Sequence, residues 1–258
     1  MRLPAAIAST NTSRAALAAW MALVVLATLA TLGGCSSLAA PRPGRAGLPA
    51  ASSVAQRWAE DVLLGAEVGA DRSRVVRWRR PVRFLVVDAP IGLRAATEAA
   101  FAELRDALAG LHRLTLEHVR RDDDRIGTDG YVTVFAIAPA EAADLAQRFG
   151  AHAPDQNADG WFTIHWAPSF ELVRAIVFIS PYLPTDWLRH TALEEMFHSL
   201  GPSNDSELCA ESVVFEGASS FGRHQHLSAD DGRMLRLLYG VLRAGDGRGA
   251  IRRAYAPR

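Results

Sequence analysis

One stretch, Ala15 to Leu32, divides the chain into a segment suited to a membrane and a remainder that must fold in water. It is about as long as a short membrane-spanning helix requires. Arg2 and Arg14 stand before it, no acidic residue accompanies them, and small residues close it at Gly33-Gly34. That is the order of a secretory signal, with an uncleaved spanning helix as the alternative. Once this stretch is set aside, the rest of the chain has no other apolar run long enough to span.

The stretch leads into Leu32-Gly33-Gly34-Cys35, which resembles the lipobox of bacterial lipoproteins. The resemblance implies a signal over residues 1–34, removed so that Cys35 becomes the lipidated first residue of the mature protein. Ser36 stands where, in such lipoproteins, an aspartate favours retention in the inner membrane, so the implied place is the outer membrane, facing the periplasm. Residues 35–56, rich in Ala, Pro, Gly and Ser without apolar periodicity, read as a flexible tether. Residues 57–258 then form a single domain, long enough for a proper core.

With Cys35 committed to lipid, Cys209 has no partner for an internal disulfide, and the fold must stand on its core. A small buried thiol is the plain reading of Cys209; a nucleophile or an intermolecular bridge are its alternatives. All 28 basic residues are Arg, which excludes a Schiff-base lysine and a phosphate-loop lysine. Loss of Arg2 and Arg14 with the signal leaves 26 basic against 28 acidic residues. Such a balance offers no electrostatic case for nucleic acid. The partners expected are the lipid membrane, through Cys35, and another envelope protein or peptide.

Val82 to Val87 reads as a buried strand, and Gly92 to Leu111 as a helix with Leu93, Ala96, Ala100, Leu104, Leu108 and Leu111 inward and Phe101 beside them. Leu114 to Val119, Tyr131 to Ile137, Trp161 to Trp166 and Leu172 to Ile179 read as further strands. Pro139 to Phe149 is a short helix. Another helix runs from about Asp186 to Leu200, with Gly201-Pro202 as its stop. Ser228 and Asp231 resemble a capping box opening a last helix through Leu242. A sheet that mostly precedes its final helices makes the class α+β.

The helix from Asp186 carries the chemistry. Its core reads Glu194-Glu195-Met196-Phe197-His198-Ser199-Leu200-Gly201, or EExxHxxG. Glu194 and His198, four apart, reach one point between adjacent turns; His190 extends their stripe, and Glu195 points about 60° away from His198. Zincin metalloproteases use this spacing as HExxHxxG, two ligands with a glutamate base between them. Here Glu195 fills the base position and His198 the second ligand position, while Glu194 replaces the first histidine with a carboxylate. The third ligand of the longer pattern falls on Asn204, a poor ligand, with Asp205 beside it. The candidate set is therefore Glu195 as base with Glu194, His198 and Asp205 around zinc. The alternative is that Glu194, Glu195 and His198 form the solvated face of an amphipathic helix.

The same residues resemble an uncharacterised bacterial lipoprotein family, domain-of-unknown-function family 2927. The likeness rests on Glu194-Glu195, Leu200-Gly201, Asn204-Asp205-Ser206 and the helix Met234 to Tyr239, and is best between Leu172 and Tyr239. That family usually has glutamine where this chain has His198. The resemblance implies a zincin-like fold, a mixed sheet followed by the motif helix and C-terminal helices, with an eroded metal site and a binding or structural role. His198 departs toward the metalloprotease pattern and keeps a zinc-dependent, peptidase-like hydrolase as the other reading. Two minor signals remain: His224 and His226 form an HxH pair, and Asp155 to Gly160 matches half of a calcium loop or a plain polar turn.

Overall fold

A computed structural model describes residues 53–66, 72–152, 157–217 and 224–256. The expected signal, Cys35 and most of the expected tether lie outside the described residues, as does Asp155 of the calcium-like loop. Among the described residues no helix is long and apolar enough to cross a membrane.

The sheet has five strands, β1 (Val82–Val87), β2 (Leu114–Val119), β3 (Tyr131–Ala136), β4 (Gly160–Trp166) and β5 (Leu172–Ile179), in the order β2-β1-β3-β5-β4. The first four run parallel, and β4 closes one edge antiparallel to β5. β1 sits between β2 and β3, and Phe84 pairs with Leu116 on one side and Val132 on the other. Its near-continuous apolar run follows from that place, since a parallel strand covered on both faces needs apolar side chains on both.

One face packs under α2 (Ile91–Ala107) and α4 (Thr185–His198), and its core takes Phe84, Val86, Val132, Val134, Val177 and Ile179. α3 (Pro139–Phe149) covers the opposite face, where Phe135, Trp161, Ile176 and Phe178 form a second, smaller core with Ala142 and Ala146. The architecture is α+β around a mixed sheet, as the order of elements implies. The expected strand spans hold to within a residue. The α2 stripe is correct except at its end: the helix stops at Ala107, a turn with Gly110 at φ 76° follows, and Leu111 is 41% exposed instead of inward.

Three helices complete the main core. α1 (Ser53–Leu64) begins inside the stretch that composition assigns to the tether, and it buries Trp58, Ala59, Val62 and Leu63. α5 (Ala229–Gly240) opens with the expected capping box: Ser228 Oγ accepts from the Asp231 N–H, and Asp231 accepts from the Ser228 N–H. α6 (Arg248–Tyr255) buries Ile251 and pairs Arg252 with Glu60 of α1.

α4 is the element that positions the site. Leu193, Met196, Phe197 and Leu200 face the core as the helical spacing predicts. Glu195 and His198, however, are 6% and 1% exposed. Glu195 and His198 are therefore not on a solvated amphipathic face: α4 packs against α2, β4 and β5, and these two polar residues are enclosed with its apolar ones.

Candidate metal centre

α4 ends against a run of backbone carbonyls that would otherwise be orphaned. Each is met by a side chain: Ser199 O by the Trp78 indole N–H at 2.9 Å, and Leu200 O by the Tyr239 hydroxyl at 2.7 Å. Arg72 donates to Gly201 O at 3.3 Å, and His198 Nδ1 lies 2.9 Å from Pro202 O. Gly201 makes the turn with φ 124°, and a Cβ there would stand 2.6 Å from the carbonyl oxygen of Val76. Only glycine fits that approach. The chain thereby folds back so that Asp205 returns to His198.

A carbonyl oxygen only accepts, so the contact with Pro202 requires the proton of His198 on Nδ1. Nε2 then points at Asp205 Oδ1, 3.2 Å away. The ligand atoms of Glu194, His198 and Asp205 all lie within 4.8 Å of one another. A neutral imidazole held this way presents a lone pair to the two carboxylates, and a cation among them satisfies all three groups. The Phe162 ring stacks on the imidazole at 4.6 Å and 8°, fixing its plane. Backbone anchoring of the far nitrogen and a locked ring are the support that metal-binding histidines use.

Glu194 is held from its other side. His190 Nε2 is 3.3 Å from Glu194 Oε2, while His190 Nδ1 is 3.0 Å from the carbonyl of His224. Burial alone pulls the His190 pKa down, but the hydrogen bond and charge of Glu194, the His224 carbonyl and the charge of Asp205 overcome it, and the net direction is upward. Asp159, at the entry to β4, is close enough for the charge of His190 to oppose the burial that raises its carboxyl pKa.

Glu195 leaves α4 toward β4. A Cβ on Gly160 would stand 2.8 Å from Glu195 Oε1 and 2.4 Å from Thr191 Cγ2, so the missing side chain of Gly160 is the space that Glu195 and Thr191 occupy. Gly160 and Phe162 lie on the same face of β4, by the alternation of a strand. Glu195 and His198 therefore meet consecutive same-face positions of one edge strand.

All four residues named from the motif thus gather near the end of α4, Glu195 and His198 buried and Glu194 and Asp205 half-buried: Glu194, His198 and Asp205 converge, and Glu195 lies on the β4 side. Asn204 does not join them. Its amide donates to Asp205 O at 2.6 Å and lies 3.4 Å from Asp61 Oδ1, turned toward α1. Of the HxH pair, His224 contributes its carbonyl to His190 and His226 pairs with Glu103, both apart from the three converging ligands. Sequence spacing missed Phe162, Gly160 and the Pro202 carbonyl. A glycine opening a strand directly ahead of an aromatic run was the available signal for two of them; the carbonyl left none.

The three donors, two oxygens and one imidazole nitrogen, suit zinc, whose sites with three protein ligands keep a position open for water or substrate. No curated protein matches the chain. A family model matches residues 53–251, a span that contains the stretch from Leu172 to Tyr239 and reaches well upstream of it. Over that span, most of its length, the chain belongs to the family described as protein of unknown function, DUF2927.

Proposed function

We propose that this is an envelope lipoprotein, anchored through Cys35, whose zincin-like domain holds a divalent metal ion, zinc by its donor set, at Glu194, His198 and Asp205. One observation carries the metal reading: the three donors converge within 4.8 Å around an imidazole that Pro202 anchors through Nδ1, leaving Nε2 turned toward Asp205. The zincin-like reading draws support from the placement of the motif helix beneath a mixed sheet whose antiparallel edge strand, β4, flanks the site. An edge strand offers unpaired backbone groups to an extended chain, which suits a peptide or protein partner in the envelope.

A second reading, a zinc-dependent hydrolase, is favoured by Glu195. Its carboxylate is buried, and by the alignment with the zincin motif it holds the position of the general base. Zinc would supply a Lewis acid and a bound water of lowered pKa. Glu195 would accept the proton, and Glu194, His198 and Asp205 would orient the centre.

Zinc content after dialysis against micromolar metal tests both. The wild-type protein is expected to retain about one equivalent and His198→Ala none, because loss of the imidazole leaves a site of carboxylates alone. Glu195→Gln is expected to keep the metal and abolish any peptide hydrolysis. Full zinc in the His198 variant contradicts the assignment of the site; hydrolysis unchanged in the Glu195 variant contradicts the hydrolase reading.

A further inference from the structure

A cleft of about 590 Å³ lies between the C-terminal half of α1 and the loop that carries Asp205, and Asp205 forms part of its wall. This is the size of a pocket for a small ligand. Its walls are charged, and the charges are unevenly matched. Glu60 is satisfied by Arg248 and Arg252. Arg72 has no carboxylate partner among the described residues: Nη2 reaches only the carbonyls of Leu63 and Gly201, at 3.4 and 3.3 Å, and Nε and Nη1 are buried with no acceptor. Burial with no counter-charge pulls its pKa down to about 10. The guanidinium lies over the ring of Trp166, 5.8 Å from its centroid, at the end of β4. A buried, uncompensated guanidinium is costly, and an anion that met it would offset that cost.

We propose that Arg72 receives a carboxylate of the ligand that this cleft takes, and that the ligand is a short peptide. A planar carboxylate suits a guanidinium, and of the three arginines that line the cleft, Arg57, Arg72 and Arg248, Arg72 is the one whose guanidinium is buried with no carboxylate partner among the described residues. The acidic side chains that also line the cleft, Asp61 from α1 and Glu207 and Glu216 from beyond Asp205, disfavour a doubly charged phosphate and accept the N–H groups a peptide brings. The inference deepens the metal-site reading, on which it rests only for the place of Asp205 on the cleft wall.

Calorimetric binding of three peptides to the full chain in detergent micelles tests it: trialanine, trialanine amide, and Ala-Glu-Ala amide. Tighter binding of trialanine than of its amide, by about tenfold or more, places the C-terminal carboxylate on Arg72. The same advantage for Ala-Glu-Ala amide over trialanine amide places a side-chain carboxylate there. Equal binding of all three, or binding of none, overturns the proposal, and neither result depends on a variant folding. Arg72→Gln is expected to erase the preference, and a preference that survives it overturns the assignment to Arg72. Chelator-treated wild-type protein is expected to keep the preference. If it appears only with zinc present, the metal and not Arg72 receives the carboxylate. If no zinc binds but the preference stands, the metal reading fails alone.

Discussion

His190 shows how much of this site lies outside the three converging ligands. Its ring is clamped between the His224 carbonyl and Glu194, so it fixes where the Glu194 carboxylate can stand. A side chain acting through a ligand tunes affinity without supplying the bond itself. His190→Phe is therefore expected to weaken zinc binding by roughly 10–100-fold without abolishing it, measured by competition with a chromogenic chelator. An unchanged affinity would show that Glu194 needs no such clamp. Much of the site was legible at this scale. Helical spacing placed Glu194 and His198 together, and the weakness of Asn204 as a ligand turned attention to Asp205 beside it. What spacing could not show was burial. Counting residues around a helix separates an apolar face from a polar one, but the C-terminal half of α4 is packed on more than one face, so Glu195 and His198 are interior as well.

Among the elements, α5 and the loop before it depend on one carboxylate. Asp231 closes the capping box with Ser228 and also accepts from Ser212 Oγ at 2.6 Å and the Val213 N–H at 3.1 Å. The loop of residues 206–214 is thereby fastened to the start of α5, a short distance along the chain from Asp205. Asp231→Ala removes the cap and leaves the Val213 N–H buried without its acceptor. The expected loss is about 3 kcal/mol in denaturant unfolding, against about 1 kcal/mol for Ser228→Ala, which removes the cap alone. Equal losses would mean that the loop contacts contribute nothing. The capping box was readable because it is a local signal, two residues three apart. α1 and α6 were not read from the sequence, for opposite reasons. α1 starts in an Ala- and Ser-rich stretch that looks like tether, and its helical spacing shows only from Trp58 onward. α6 has a single fully buried residue, Ile251, too little to make a periodic pattern.

At the scale of the whole molecule, two inferences from opposite ends of the chain join: a lipid on Cys35 and a metal-binding, peptide-receiving domain behind it. The first is checked by labelling cells with palmitate, where the wild-type protein is expected to take up label and Cys35→Ala to lose it; label persisting in the variant would remove the anchor from the account. The strand order was not foreseen, because nothing local tells β1 that β2 and β3 will flank it. Their apolar runs set burial and leave order to the crossovers. The mixed sheet matters here because it leaves β4 at the edge beside α4, where Phe162 and Gly160 shape the site. The central claim is a zinc ion held by one imidazole and two carboxylates. X-ray absorption spectroscopy of the zinc-loaded full chain tests it most directly. The account predicts nitrogen and oxygen neighbours at about 2.0–2.2 Å with the outer-shell signature of a single histidine and no sulfur. A sulfur neighbour, two or more histidines, or a hydrated ion with no imidazole would contradict it.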